Sequence, residues 1–449
     1  MRVLFVSRGF PPHGRWGTEA YTLQLARGLK RQGHEISVFH PDLRDDLEPY
    51  SLTEHENGPI HITRVTLPRK RSKRLEQSYE DKDLEAAFER VLLRQRPDLV
   101  HFTYLLWTLS VRMPIITKLH GIACVLTATD FGLACHRGQC FDWRSVDCGG
   151  PQRASVCARC IREPSRDEGN PVLIEGKRWI ARSLALVGGA GQVVVRSDVE
   201  RRESVVRSAL ASIDEAIAPT AEVAAMLEHA GLSAHKISRI CYAVDDERVS
   251  QARAAPQSRV KHIAFLGQFA PHKGPHVLLE AVSLMESRLP ESVEPWDVLL
   301  YGEGVEGRHR RYPEELKRLA TSPRVILLAP FESAAVGEIL SGLSCVVVPS
   351  LWRENAPLTA LEARAAGIPV IASDVPGLSE IIQPGVHGAL FPPGDARALA
   401  DLLRDVILGR IAPRHPPSQP ISYVDHVAQV ARLHKRALET SRAALARVP

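Results

Sequence analysis

The sequence predicts an α/β protein of two consecutive units, each built on an open parallel sheet. Three observations carry this. The chain has 449 residues, 44% hydrophobic and 24% charged, which is a globular composition on a length too great for one core. Short apolar runs alternate with longer amphipathic stretches in the first half, the pattern of parallel strands joined by helical crossovers. The same alternation restarts past residue 258.

In the first unit, residues 3–7, 35–39, 99–102 and 115–119 read as strands. Between the first two, residues 18–32 place Tyr21, Leu25 and Leu29 on one helix face, with Thr18 as N-cap and Gly33 as terminator. In the second unit, residues 262–266, 298–301, 325–328, 345–349 and 370–372 read as strands, with helices over 275–289 and 357–366 among those between them. The units span 1–245 and 259–423, and a polar stretch over 245–258 joins them. A last helix lies within 424–449, after the proline-rich segment 413–420.

The formal net charge is +5, mildly basic, which suits an anionic ligand or membrane surface. With 52 acidic against 57 basic residues and no basic–aromatic stacking platform, nucleic acid is not an expected partner. Charges interrupt every apolar run well short of a membrane span, and the first run ends at Arg8-Gly9, unlike a signal peptide. The expected compartment is the cytoplasm, where eight cysteines are free or metal-bound rather than paired.

Open parallel sheets bind ligands beyond the carboxyl ends of their strands, and two such units place the site in the cleft between them. Strand 345–349 runs into Ser350-Leu351-Trp352-Arg353-Glu354-Asn355-Ala356-Pro357-Leu358. Pro357 suits a first helical turn, and Gly367 ends that helix. A strand, a short loop and a helix N-terminus make an anion site of free N–H groups. Glu354 in the loop and Glu362 in the helix would repel phosphate, so they suit sugar and ribose hydroxyls. An isolated pair of glutamates eight apart is usually a solvated helix face; here loop, Pro357 and Gly367 agree in position. Strand 262–266 ends in Gly267-Gln268, and Lys273-Gly274 follows before the next helix. Lys273 is placed to stabilise a departing diphosphate. Gly302-Glu303-Gly304 follows strand 298–301, where glycine permits close backbone approach.

These motifs, with Gly377-Leu378-Ser379-Glu380, Gly385-Val386-His387-Gly388 and Pro392-Pro393-Gly394-Asp395, resemble the retaining GT-B glycosyltransferases. That family includes sucrose synthases, glycogen synthases and bacterial polysaccharide mannosyltransferases. The resemblance covers nearly the whole chain and is most specific over 263–395. It implies two Rossmann-like domains facing across a cleft, with the acceptor on the first and a nucleotide-sugar donor on the second. It implies that Glu354 contacts the donor sugar and that the Asn355, Ala356, Pro357 and Leu358 backbone meets the phosphates. Glu362 then binds the ribose and Lys273 the diphosphate. Many members carry arginine at Gln268, so Lys273 and helix N-termini must supply more of the charge. In the loop 9–19 only Gly17 matches the family's adjacent glycines, and His120, read as a strand end, resembles its active-site histidine. The implied reaction is retaining hexosyl transfer to a glycan, lipid-linked or small-molecule acceptor, with no divalent metal required for catalysis.

Six cysteines fall within 124–160, a segment read as an insert of the first unit. Cys157 and Cys160 have knuckle spacing, and Cys135 or Cys140 together with Cys148 completes four thiolates for a structural zinc; the alternative is a loop of free thiols. The basic run 69–74 is either a solvated loop or a peripheral membrane contact toward a lipid-linked acceptor. Rival readings are a nucleotide-sugar epimerase, a glycoside phosphorylase, a hydrolase using the two glutamates, and a non-catalytic module with a decayed cleft.

Overall fold

The computed structural model describes residues 1–11, 14, 16–69, 75–163, 194–254, 260–290, 293–304, 311–411 and 416–445. Its first eight strands, β1 (Arg2–Val6), β2 (Glu35–Leu43), β3 (Leu52–Asn57), β4 (Ile60–Leu67), β5 (Leu99–Phe102), β6 (Ala123–Thr127), β7 (Glu215–Ala218) and β8 (Ile237–Arg239), form one sheet. Its order is β3-β4-β2-β1-β5-β6-β7-β8, parallel except for the β3–β4 hairpin. The remaining six, β9 (Lys261–Leu266), β10 (Trp296–Tyr301), β11 (Val325–Leu328), β12 (Cys345–Val348), β13 (Val370–Ser373) and β14 (Gly388–Phe391), form a wholly parallel sheet ordered β11-β10-β9-β12-β13-β14.

Strand periodicity divides each sheet's residues between two cores. Val3 and Phe5 enter a core that also holds Ala264 and Leu266, while Leu4 and Val6 face a second core and Ile263 and Phe265 a third. The first core therefore runs through both units. Helix α1 (Gly17–Arg31) buries Tyr21, Leu25 and Leu29 there, as the spacing predicts, although Trp16 rather than Thr18 is the N-cap.

The run 115–119 is not a strand. It belongs to helix Met113–Leu119, which has Pro114 in its first turn and buries Met113, Pro114 and Thr117. The β-branched Ile115, Ile116 and Thr117 suggest a strand, but the proline start and helical burial spacing prevail. The strand at this place is β6, and Cys124 lies within it, fully buried. The insert therefore begins after Thr127 and not at Cys124.

The polar joint contains helix Asp246–Ala254, packed against helix Val336–Ser341 of the second unit. The last helix, Tyr423–Leu445, returns to the first unit. Its Tyr423 hydroxyl donates to Gln24 O at 2.6 Å, and Arg436 pairs with Glu215 at 2.8 Å. Among the described residues no helix is long and apolar enough to cross a membrane. Of the basic run, the Arg69 N–H donates to Asp45 at 3.0 Å; residues 70–74 lie outside the described residues.

Candidate active site

β1 lies between β2 and β5, and β9 between β10 and β12, so each marks the point where its sheet's winding reverses. The loops that follow these strands and β12 carry the main candidate residues. After β9, the short turn Pro271–Lys273 presents Lys273. After β12, residues 349–357 bring Glu354 to face it.

Glu354 is 3% exposed. Its Oε1 accepts from Lys273 Nζ at 2.8 Å, Trp352 Nε1 at 2.8 Å and Ser350 Oγ at 2.5 Å. All three donors meet one oxygen, Oε1, and none of them bonds Oε2. Lys273 also lies 4.8 Å from the Trp352 ring centroid. Two glycines fix this loop. A Cβ on Gly377 would stand 1.9 Å from Glu354 O, and one on Gly274 1.8 Å from Pro349 O; both have positive φ.

Helix Leu358–Ala366 starts directly after Pro357, with Gly367 in the left-handed conformation at its end. Ala360 and Leu361 both donate to Pro357 O, so the N–H groups ahead of them face the loop. Asn355 is buried and donates to Ala128 O at 3.0 Å and to the Tyr242 hydroxyl at 3.3 Å, tying this loop to the first unit. Ala356 has φ of 152°, uncommon for a non-glycine residue, at the helix start.

Glu362 forms a second locus. It is buried, which raises its carboxyl pKa, and Arg248 opposes that rise through an ion pair at 2.7 Å. Arg248 also donates to Ser333 Oγ at 3.1 Å. Gln268 is half-buried, and its side chain makes no hydrogen bond among the described residues. Gly304 bridges to Phe269, which closes the loop after β10 onto that after β9. Gly17 is exposed at the first position of α1 with open space where a Cβ would be.

His120 does not join this group. It follows helix Met113–Leu119, before β6, and so sits at the edge of the sheet opposite the strand carboxyl ends. There it pairs with Glu89 at 2.7 Å. The strand-end position it was expected to hold falls to Thr129 and Asp130.

The insert reaches across to the Glu354 loop. Phe131 packs edge-on against Trp352 at 6.4 Å, Gln139 lies 3.3 Å from His272, and Asp147 pairs with Arg353 at 3.0 Å. Its cysteines are all free. Cys148 donates to Gly150 O at 3.2 Å and Cys157 to Gln152 O at 3.5 Å. Cys135 shares a thiol hydrogen bond with Cys140, which holds the Cys135 thiol down to about 6. Cys135 and Cys160 act electrostatically on both Cys148 and Cys157, while among the described residues no group of three or more His, Cys, Asp or Glu is arranged to hold a metal ion. A cavity of about 500 Å³ lies behind the insert, lined by Pro151, Arg153, Arg207 and His229 among others, and shares no residue with the Glu354 and Glu362 loci.

Residues 17–243 match the family described as Glycosyl transferase 4-like domain. The chain belongs to this family. Residues 246–418 match a second description, Glycosyl transferases group 1. A curated relative, the D-inositol 3-phosphate glycosyltransferase of Nocardioides sp., is 32% identical over 172 residues, covering 36% of this chain and 37% of that protein. The matched stretch thus spans well under half of that relative's length. Among solved structures, sucrose-phosphate synthase from Thermosynechococcus elongatus superposes with a TM-score of 0.60 at 20% identity, over 99% of this chain and 94% of that one. Anabaena HepE in complex with UDP-glucose superposes with a TM-score of 0.55 at 14% identity, over 99% of this chain and 100% of that one. At these identities the likeness is one of fold, and the fold is the two-domain GT-B arrangement.

Sequence reasoning missed Ser350 and Trp352 as partners of Glu354, and Arg248 as partner of Glu362. It also missed Arg8, Tyr104 and Asp130 at the ends of β1, β5 and β6. The signal for the last three was available: each lies within three residues of a strand's carboxyl end.

Proposed function

We propose that this family member is a glycosyltransferase that moves a hexosyl group from a nucleoside-diphosphate sugar to a hydroxyl acceptor with retention of anomeric configuration. The observation that carries this is the convergence of Lys273, Ser350 and Trp352 on one oxygen of a buried Glu354 beside a helix N-terminus. Oε2 of Glu354 then takes a hydroxyl of the donor sugar. Lys273 and the N-terminus of helix Leu358–Ala366 carry the charge that develops on the leaving diphosphate, a role they fill without a divalent ion. Glu362 receives ribose hydroxyls, and Arg248 holds its carboxylate in place. The C1–O bond to the diphosphate breaks and the C1–O bond to the acceptor forms on the same face. The departing diphosphate oxygen accepts the acceptor's proton. The two-domain likeness to a structure holding UDP-glucose supports a nucleotide-sugar donor.

The test is a thermal-shift screen of the protein against nucleoside diphosphates and their sugars, followed by proton NMR of the product anomer. A ligand at 100 times its Kd raises stability by about 2.7 kcal/mol. A shift with one donor series and a product of donor configuration support the reading. No shift with any donor, or an inverted product, overturns it.

A further inference from the structure

A charged group stands at the strand ends of the first unit, apart from the Glu354 network. Arg8 lies two residues past β1, Tyr104 two past β5 and Asp130 three past β6. The Arg8 guanidinium carbon sits 5.5 Å from the Tyr104 ring centroid. Its Nε lies 3.3 Å from Glu19 Oε1. Glu19 is 2% exposed, and its Oε2 is buried with no hydrogen-bond partner among the described residues. Burial raises the Glu19 carboxyl, and Arg8 opposes this. The Arg8 side chain itself keeps 41% exposure, and its two terminal nitrogens make no hydrogen bond to described residues. Asp130 accepts from the Gly132 N–H at 2.9 Å, and its charge interacts with Arg8 and with Arg202.

A guanidinium held at Nε by a buried carboxylate and backed by an aromatic ring is fixed in direction. Its open edge then offers the planar fork that matches phosphate or carboxylate bidentately. An arginine that served only to neutralise Glu19 would need neither the ring behind it nor a position at the sheet's reversal point. Lys273 and a helix start serve the donor on the second unit, so a cation anchored on the first unit faces the other substrate.

We propose that Arg8 anchors an anionic group, phosphate or carboxylate, carried by the sugar acceptor, and that Asp130 accepts a hydrogen bond from one of its hydroxyls. This rests on the glycosyltransferase reading above. Glu19 and Tyr104 position Arg8 and touch no substrate. The acceptor class is therefore an anionic polyhydroxylated molecule, and neutral glycans are poor substrates.

The experiment is calorimetric titration of the full chain saturated with UDP, using inorganic phosphate, glucose 6-phosphate, glucuronate and glucose as probes. Wild type should bind at least one charged sugar about 30-fold or more tightly than glucose, the scale of a bidentate charged pair. Preference for glucose 6-phosphate together with inorganic phosphate names phosphate as the anion, and preference for glucuronate names carboxylate. In Arg8→Gln the preference should vanish while UDP affinity stays within about 3-fold. Arg8→Lys, which keeps the pair with Glu19, should retain part of it and shows that the site still folds. A charge preference that survives in Arg8→Gln, or none in wild type, overturns the proposal. Loss of UDP affinity in Arg8→Gln also overturns it and moves Arg8 to the donor. Failure of UDP, ADP and GDP to bind wild type is a separate result: it sinks the function reading itself.

Discussion

Burying a carboxylate without partners costs several kcal/mol, so Glu354 needs its three donors to exist in this form. Two of them, Ser350 and Trp352, are neutral, and only Lys273 brings charge. In the proposed function the same ammonium meets the diphosphate. Lys273→Ala should therefore act twice. Transfer should fall at least ~100-fold, as it does when one preorganised charge donor is lost. Stability should fall by about 1–3 kcal/mol because a buried acceptor loses its charged partner. Glu354→Gln removes the buried charge and keeps an acceptor oxygen, so its stability cost should be the smaller of the two while transfer still collapses. Steady-state kcat/KM beside urea unfolding of both variants separates these effects. A Lys273→Ala protein with near-normal turnover removes Lys273 from the site.

The last helix ties the first unit together through buried imidazoles. His434 Nε2 lies 3.0 Å from His101 Nδ1, and His101 Nε2 lies 2.8 Å from Thr127 Oγ1. His426 is bonded to Cys241 O at 2.9 Å. Burial lowers all three, His434 to about 3 and His426 to about 4, so they are neutral in the folded protein. In the unfolded chain they take up protons near pH 6.5. The unfolded state then binds more protons between about pH 6.5 and 4, and stability falls as pH drops through that window. His434→Gln keeps hydrogen-bonding capacity without titrating. It should flatten the slope of unfolding free energy by up to about 1.4 kcal/mol per pH unit, read by urea titrations at pH 4.5, 5.5 and 7. An unchanged slope would mean that His434 is already charged when folded. At this scale the sequence is readable where burial follows period: β1, β5 and β9–β13, with α1, stand within a few residues of expectation. It misleads at 113–127, where Ile115, Ile116 and Thr117 favour a strand in isolation and only tertiary packing turns them into a helix. That one misreading displaced His120 to the cleft and hid Asp130. The β3–β4 hairpin escaped because its first strand is polar and half-exposed, with no apolar run to mark it.

Across the whole molecule, the residues flanking the Glu354 network also clasp the two units. Arg353 pairs with Asp147 at 3.0 Å and with Glu222, both on the first unit. Glu380 accepts from the Ala221 N–H at 2.8 Å and the Glu222 N–H at 3.4 Å, at the N-terminus of helix Ala221–Ala230, and pairs with Arg239 at 3.1 Å. A carboxylate at a helix N-terminus is favoured by the dipole and by the free N–H groups. These contacts are partly exposed, so each contributes only about 0–1 kcal/mol to stability. Their effect is on position: Arg353 precedes Glu354, and Gly377 beneath Glu354 leads into Glu380. The contacts that hold the two units together thereby also position the Glu354 loop. A donor held by the second unit alone should bind with or without the clasp, whereas transfer requires both substrates in register. Glu380→Ala and Arg353→Ala should therefore leave donor Kd within about 3-fold and lower kcat about 10-fold or more, with a larger radius of gyration in X-ray scattering. The double variant should cost less than the sum of the two, because breaking either contact already lets the units part. Strict additivity, or an equal loss in donor affinity, would mean that these residues serve the donor site directly and that closure is set elsewhere.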